Sequence, residues 1–174
     1  LPLVNKPLLD HAVDAVASAN LIIAVGPSRQ TTRDVHWTRE APPGGGPVAA
    51  IAAGLSAADR LANDSPLVAV LAGDMPLAGA AMDALIHAIQ GTECDVAIAV
   101  GEDGRDQPLL AIWRRGSLSN TIAAYDSTQG KSARSLLANV TVNRVSVADE
   151  GILDCDEQQD LARITAIMHR RSGG

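Results

Sequence analysis

Short runs of aliphatic and β-branched residues alternate along the chain with alanine-rich stretches whose apolar residues recur at helical spacing. The apolar runs predict strands at residues 21–25, 35–38, 67–72, 96–100, 107–113 and 140–147. The stretches between and after them predict helices at residues 7–19, 48–61, 80–89, 118–125, 133–137 and 158–169. This alternation is typical of an α/β fold with a mostly parallel sheet.

The same pattern distinguishes interior strands from an edge strand. Leu21–Val25 and Leu67–Ala72 are continuously apolar, as in buried strands, whereas Val140–Val147 alternates apolar and polar residues, as in a half-buried or edge strand. Ala41–Pro47 contains three prolines and three glycines, which excludes it from the interior of a helix or strand. No internal repeat or linker interrupts the pattern, so residues 1–174 are predicted to form a single domain.

Composition indicates a globular domain with an aliphatic core. A chain of 174 residues should bury about 70% of its unfolded surface. A content of 47% hydrophobic and 20% charged residues excludes an intrinsically disordered chain. Aromatic residues make up 2% of the chain, so the core must consist of Leu, Ile, Val and Ala. No apolar run approaches the ~20 residues of a membrane span, and no signal-peptide pattern is present. We therefore expect a cytoplasmic protein without a membrane partner.

The charge pattern restricts the partners further. A net charge of −6 argues against nucleic acid, which requires a basic surface. Lys6 and Lys131 are the only lysines, beside twelve arginines, so arginines or backbone N–H groups would bind most of any phosphate. Cys94 and Cys155 match no metal-ligand spacing and are predicted to be free thiols.

The strand at 67–72 leads into the most informative motif, which ends in Gly73, Asp74, Met75 and Pro76. A buried strand delivers Asp74 to its carboxyl end, where open α/β sheets bind ligands. A carboxylate in that place suits Mg²⁺, which is often shared with substrate phosphates. An aspartate that only begins the following turn is the alternative.

The glycine-rich segment Gly44–Ile51 is a second candidate. Three glycines before a helix expose backbone N–H groups and allow a base or phosphate to approach the main chain, and Pro47 suits a first helical turn. The glycine spacing fits neither a Walker loop nor a dinucleotide fingerprint, and a plain flexible loop explains the segment equally well.

Two further clusters carry polar groups. Asp106 and Gln107 stand at a strand entrance, and Trp113 offers a face for stacking, although a turn followed by a core tryptophan fits the same residues. Asp154 and Asp156 offer a second metal contact, although Asp156 is also a good helix N-cap. The four histidines lack paired spacing and no Gly-x-Ser-x-Gly elbow is present, which argues against covalent catalysis.

Six segments, in this order, resemble the MobA-like nucleotidyltransferase family, which contains molybdenum cofactor guanylyltransferase. They correspond to the family's first helix, its Gly-Pro-Leu-x-Gly element, its Asp-Met-Pro element, its Gln/His-Pro-Leu-x-Ala strand, its Gly-x-x-x-Arg turn and its closing acidic segment. In this sequence they are Lys6–Val13, Gly44–Ile51, Leu71–Leu77, Gln107–Trp113, Gly130–Arg134 and Asp154–Leu161.

The resemblance implies a three-layer, Rossmann-like nucleotidyltransferase fold that transfers GMP from GTP to molybdopterin with Mg²⁺ and releases pyrophosphate. It implies transient contact with enzymes that make or receive the molybdenum cofactor. Asp74 would be the catalytic metal ligand, with Asp154 or Asp156 as a second. The nucleotide would meet Glu40, Gly44, Gly45, Gly46 and Pro47, and the acceptor would meet Asp106, Gln107, Lys131 and Arg134.

The sequence departs from the family pattern in four places. The family's glycine-rich start with its phosphate-binding lysine is absent, so we expect the first strand and phosphate loop to lie outside this sequence and the chain alone to bind nucleotide weakly. Lys6 matches a later, noncatalytic position. Glu40 stands where the family usually has Asp, and Asp154 and Asp156 stand where guanylyltransferases often have Asn. A cytidylyltransferase, a transferase acting on another phosphorylated acceptor, and a catalytically silent nucleotide-binding module therefore stay open.

Overall fold

The computed structural model describes residues 2–3, 6–153 and 164–167. Its strands, in chain order, are β1 Pro2–Leu3, β2 Lys6–Pro7, β3 Ile23–Val25, β4 His36–Thr38, β5 Leu67–Leu71, β6 Val96–Val100, β7 Asp106–Arg114 and β8 Val142–Ser146. Its helices are α1 Leu8–Ala15, α2 Pro47–Arg60, α3 Gly79–Gln90 and α4 Arg115–Ala123. Short 3₁₀ turns follow at Ala133–Leu137 and Asp149–Ile152.

The main sheet has four strands in the order β5-β7-β6-β8. β7 runs antiparallel to β5 and to β6, and β8 runs parallel to β6. Three of the four strands point the same way, but two of the three pairings are antiparallel, so the main sheet is mixed; the expected α/β class is confirmed. β3 and β4 form a separate parallel pair, and β1 and β2 an antiparallel one.

Helices cover both faces of the main sheet and give three layers. Successive residues of β6 alternate between them, because Val96 and Ile98 pack beneath α2 and α4 while Ala97 and Ala99 pack beneath α3. Trp113, which is 1% exposed, lies in the core on the α2 side. It is therefore a core tryptophan and offers no stacking face.

Several element boundaries differ from the sequence prediction. The first helix ends at Ala15 instead of residue 19, because residues 17–20 are all exposed and give the helix no face to bury. Residues 133–137 form a 3₁₀ turn, in which the Ser135 N–H bonds the Ser132 carbonyl three residues back. β8 is the last strand of the sheet and half-buried, which confirms the edge-strand prediction.

The strands β3 and β5 were predicted to be buried but are mostly half-buried. Each pairs with one neighbour only among the described residues, β3 with β4 and β5 with β7. Their other edges border an open cavity of about 1120 Å³ that separates the two sheets. This cavity, called the inter-sheet cavity below, leaves their side chains accessible.

Candidate functional site

The carboxyl ends of β5, β6 and β8 and the start of β7 lie at one edge of the main sheet. Leu71 of β5 pairs with Leu110 of β7, and the Ala72 N–H extends the ladder to the Leu109 carbonyl at 2.9 Å. At the other side of β7, Asp106 pairs with Val100 of β6. Asp74, which follows β5, and Asp106, which begins β7, therefore lie at the same edge of the sheet.

Asp74 is placed by the abrupt end of β5. A turn closes behind the strand, with the Met75 N–H 3.4 Å from the Ala72 carbonyl, and Met75 is buried in the core. The Asp74 side chain is half-buried and lines the inter-sheet cavity. It makes no hydrogen bond or ion pair with any residue that the structure describes. Within the described part of the chain, this carboxylate is therefore unpaired where it borders the cavity.

The glycine-rich loop lies on the same cavity, which is lined by Glu40, Gly44, Gly46 and Pro47 as well as by Asp74. Gly44 and Gly46 have φ values of +81° and +88°, a conformation that other L-residues rarely adopt. The Gly44 N–H donates to Glu40 Oε1 at 2.9 Å, and this bond holds the pKa of Glu40 below its usual range. Glu40 thus stays ionised and fixes the loop ahead of α2.

Gly45 faces away from that cavity and joins the loop to the turn at residues 128–131. Its carbonyl accepts the Gly130 N–H at 2.8 Å, and a Cβ added at Gly45 would lie 2.5 Å from Gln129 Oε1. The Val48 N–H approaches the Lys131 carbonyl at 3.5 Å, and Lys131 Nζ lies 5.8 Å from the centre of the Tyr125 ring. The structure therefore brings Lys131 beside the predicted nucleotide loop.

Asp106 belongs to a group of charges on the other side of the edge. Arg144 Nε donates to Asp106 Oδ1 at 2.9 Å, and Arg144 Nη2 to Oδ2 at 3.0 Å. This bidentate bond, reinforced by the charges of Arg144 and Arg134, lowers the pKa of Asp106. Gln107, half-buried, follows on β7 opposite Ala99. We call Asp106, Gln107, Arg134 and Arg144 the arginine cluster.

Sequence reasoning missed Arg144, and no local signal could have found it. Arg144 lies 38 residues from Asp106 and meets it only because β8 adds to the sheet beside β6. Lys6 is ion-paired with Asp14, which fits its exclusion from a phosphate-binding role.

Of the three predicted metal ligands, Asp74 alone lies among the residues that the structure describes. Asp154 and Asp156 lie outside the described residues, so their predicted metal role stays a prediction. Among the residues that the structure describes, no group of three or more His, Cys, Asp or Glu side chains could hold a metal ion. No helix in this part of the chain is long and apolar enough to cross a membrane.

The sequence model of the MobA-like NTP transferase domain matches residues 1–145. No curated protein matches the chain by sequence. Among solved structures, the molybdopterin-guanine dinucleotide biosynthesis protein A of Archaeoglobus fulgidus is similar at 17% identity, with 98% of this chain and 89% of that chain covered and a TM-score of 0.67.

Two other solved structures have a similar fold. The 2-C-methyl-D-erythritol 4-phosphate cytidylyltransferase of Thermus thermophilus shares 17% identity over 97% of this chain and 92% of that chain, with a TM-score of 0.69. A nucleotidyl transferase of Methanothermobacter thermautotroptrophicus shares 20% identity over 98% and 84%, with a TM-score of 0.72. At these identities the likeness establishes the fold alone, and the relatives that share it act on different substrates.

Proposed function

The chain belongs to the MobA-like NTP transferase domain family, and we propose that within it the protein transfers GMP from GTP to molybdopterin and releases pyrophosphate. The observation that carries this proposal is the placement of Asp74. It is a half-buried carboxylate at a sheet edge, without a partner among the described residues, and it lines the same cavity as Glu40 and the glycine-rich loop.

The residues around Asp74 fit a magnesium ion that is shared with substrate. Mg²⁺ is commonly held by one or two carboxylates, with phosphates and waters completing its coordination. Asp74 supplies one such carboxylate, and Asp154 or Asp156 is proposed as the second. When bound there, Mg²⁺ would neutralise the charge that develops on the phosphate oxygens.

The proposed reaction is an in-line displacement at the α-phosphorus of GTP. A terminal phosphate oxygen of the acceptor forms the new P–O bond while the bond from the α-phosphorus to the bridging oxygen breaks, and that oxygen leaves with pyrophosphate. A phosphate monoester is already a nucleophile near neutral pH, so the chain need not supply a general base. Its task is to position the two substrates and to balance their charge.

Different residues at this edge of the sheet position the nucleotide and the acceptor. The loop at Gly44–Gly46 and Pro47 binds the nucleotide, and Lys131, whose backbone lies beside that loop, binds the acceptor. Arg134, Arg144 and Gln107 of the arginine cluster bind the acceptor's phosphate, and Asp106 holds Arg144 in its bidentate geometry. Two arginines and one aspartate leave this cluster with a net positive charge, which favours an anionic acceptor.

Glu40 supports guanine as the base. One carboxylate oxygen, Oε1, accepts the Gly44 N–H, and Glu40 lines the inter-sheet cavity. Guanine presents two adjacent N–H donors on one edge, at N1 and N2, and a carboxylate can accept both. Asp154 and Asp156 favour cytidylyl transfer as the second candidate, because aspartates at these positions are more typical of cytidylyltransferases.

A nucleotide panel tests the proposal. The complete gene product, given molybdopterin and Mg²⁺, should release pyrophosphate fastest from GTP. A preference for CTP would transfer the assignment to the second candidate. Nucleotide binding without pyrophosphate release from any nucleotide would identify a silent binding module. We also propose a cytoplasmic location and transient contact with the enzymes that make or receive the cofactor.

A further inference from the structure

Tyr125, the only tyrosine of the sequence, follows α4 and is held at several points. Its N–H donates to the Ile122 carbonyl at 3.2 Å, and its half-buried ring packs on the core cluster beneath α2 and α4. Its hydroxyl donates to Ser135 Oγ at 2.9 Å, and Ser135 Oγ donates in turn to the Ser132 carbonyl at 2.7 Å. These contacts hold the ring in one orientation.

The Tyr125 ring carries the ammonium group of Lys131. Lys131 Nζ lies 5.8 Å from the ring centre, within the distance at which the negative face of an aromatic ring attracts a cation. The ammonium group forms no hydrogen bond or ion pair with any residue that the structure describes. Lys6, the other lysine of the sequence, is instead ion-paired with Asp14. Within the described part of the chain, the ring is thus the contact that orients Lys131.

The segment that the two serines hold carries residues proposed to bind the acceptor. Lys131 begins this segment, and its carbonyl lies 3.5 Å from the Val48 N–H, next to the glycine-rich loop. Arg134 lies three residues further on, where its charge helps to lower the pKa of Asp106. The bonds from Tyr125 through Ser135 therefore hold the backbone of a segment that reaches both the nucleotide loop and the arginine cluster.

We propose that Tyr125 is a positioning residue for Lys131, whose ammonium group its ring restrains before the acceptor's phosphate binds. The inference deepens the proposed function and rests on it for the identity of the acceptor. A lysine side chain has a long, flexible stem and loses rotamer freedom when it binds an anion, so a restraint made in advance reduces that loss. The ring occupies one side of the ammonium group, and the N–H donors that point away from it stay available to phosphate oxygens.

The contact between Lys131 and Tyr125 can be measured without substrate. In NMR spectra of the complete gene product, the ring current of Tyr125 should shift the ε-methylene protons of Lys131 upfield. Tyr125→Phe keeps the ring and should keep most of this shift, whereas Tyr125→Leu should abolish it. The signals of Lys6 are the control and should stay unchanged in both variants. An unshifted Lys131 signal in the parent protein would overturn the inference.

Kinetics should separate positioning from a structural role. Tyr125→Leu should raise the KM for molybdopterin about two- to fivefold, the loss of one exposed cation–π contact. The kcat and the KM for GTP should stay within about twofold, and Tyr125→Phe should have a smaller effect. Ile122→Ala is the matched control, because it truncates another half-buried residue of the same core cluster without touching the ring. It should lower the melting temperature and leave the KM for molybdopterin unchanged.

A double-mutant cycle tests whether Tyr125 acts through Lys131. Lys131→Met keeps a long apolar stem and removes the charge, so it should raise the KM for molybdopterin more than Tyr125→Leu does. Adding Tyr125→Leu to Lys131→Met should then cause no further rise. Independent, multiplying effects of the two substitutions would overturn the inference.

Failure of this inference is distinguishable from failure of the proposed function. If no GMP is transferred, the same variants are compared by calorimetry of molybdopterin binding. A loss of affinity in Tyr125→Leu that depends on Lys131 would then support the positioning role while the proposed function fails. If transfer occurs and Tyr125→Leu leaves the KM for molybdopterin unchanged, the proposed function stands and the role of Tyr125 is wrong.

Discussion

Two aspartates stand at the same edge of the sheet in opposite surroundings. Asp74 follows β5, borders the inter-sheet cavity and has no partner among the described residues. Asp106 begins β7, and both of its oxygens are bound by Arg144, at 2.9 and 3.0 Å. Among the described residues, one carboxylate is thus satisfied by a side chain of the protein, and the other is left without a partner.

The different surroundings of Asp74 and Asp106 favour different roles for the two carboxylates. A half-buried carboxylate without a partner gains most from a cation that arrives with a ligand, whereas a carboxylate that already holds a guanidinium gains little. This contrast supports the proposal that Asp74 takes part in the reaction and that Asp106 orients Arg144.

Removal of the unpaired carboxylate of Asp74 should have the largest effect. Asp74→Ala should reduce pyrophosphate release by roughly a thousandfold or more, since the reaction depends on electrostatic stabilisation. The melting temperature should change little, because no described residue depends on this side chain. Asp83→Ala, an exposed aspartate on α3, is the matched control. Undiminished Mg²⁺-dependent turnover in Asp74→Ala would refute the assignment.

Removing Arg144, which pairs with Asp106, should have a smaller effect than removing the Asp74 carboxylate, and a different one. Arg144→Gln should raise the KM for the acceptor about tenfold, by loss of a charged contact, and should leave the KM for GTP within about twofold. The pKa of Asp106 should rise towards the ordinary value, because the bond that lowers it is gone; carboxyl NMR measures this. An unchanged Asp106 pKa would show that the pair does not form in solution.

The glycine-rich loop packs against the turn at residues 128–131, and this contact can be tested by adding a side chain at Gly45. Gly45→Ala places a Cβ 2.5 Å from Gln129 Oε1 and 2.8 Å from Ala49 Cβ. It should destabilise the protein by about 1–3 kcal/mol in chemical denaturation. Gly116→Ala in α4, where a Cβ meets nothing within 4 Å, should be neutral or slightly stabilising. Equal effects at both positions would contradict the packing described for Gly45.

We expect the smallest effect in the pH dependence of stability, through the bond between Asp106 and Arg144. Because the pKa of folded Asp106 is lowered, its bond to Arg144 stabilises the protein fully above the ordinary aspartate pKa of about 3.9 and is lost as the pH falls through the lowered value. The melting temperature of Arg144→Gln should therefore lie slightly below that of the parent at pH 6, by about 2–4 °C or less. The difference should vanish near pH 2. A difference that persists at that pH would show another origin.

Local signals in the sequence were sufficient for the elements that carry Asp74 and the glycine-rich loop. A continuous apolar run that ends in Gly-Asp-Met-Pro and a Gly-rich segment before a helix each specify their own backbone. The fold class followed from the alternation of such elements, and the α/β architecture confirms it.

Contacts between distant segments could not be predicted in this way. The Arg144–Asp106 pair spans 38 residues and the Thr32–Asp10 bond spans 22, so each depends on how strands and helices assemble. The reduced burial of β3 and β5 has the same origin, because an apolar run does not reveal whether a neighbour covers its edge. The early end of the first helix at Ala15 likewise depends on where packing stops.

Transfer of label from the nucleotide shows directly whether Asp74 supports guanylyl transfer. The complete gene product is incubated with molybdopterin, Mg²⁺ and GTP labelled at either the α- or the γ-phosphate. We expect that α-label enters a molybdopterin dinucleotide, that γ-label leaves as pyrophosphate, and that Asp74→Ala abolishes both while Asp83→Ala preserves them. Release of γ-label as inorganic phosphate, or α-label transfer that persists in Asp74→Ala, would contradict this expectation.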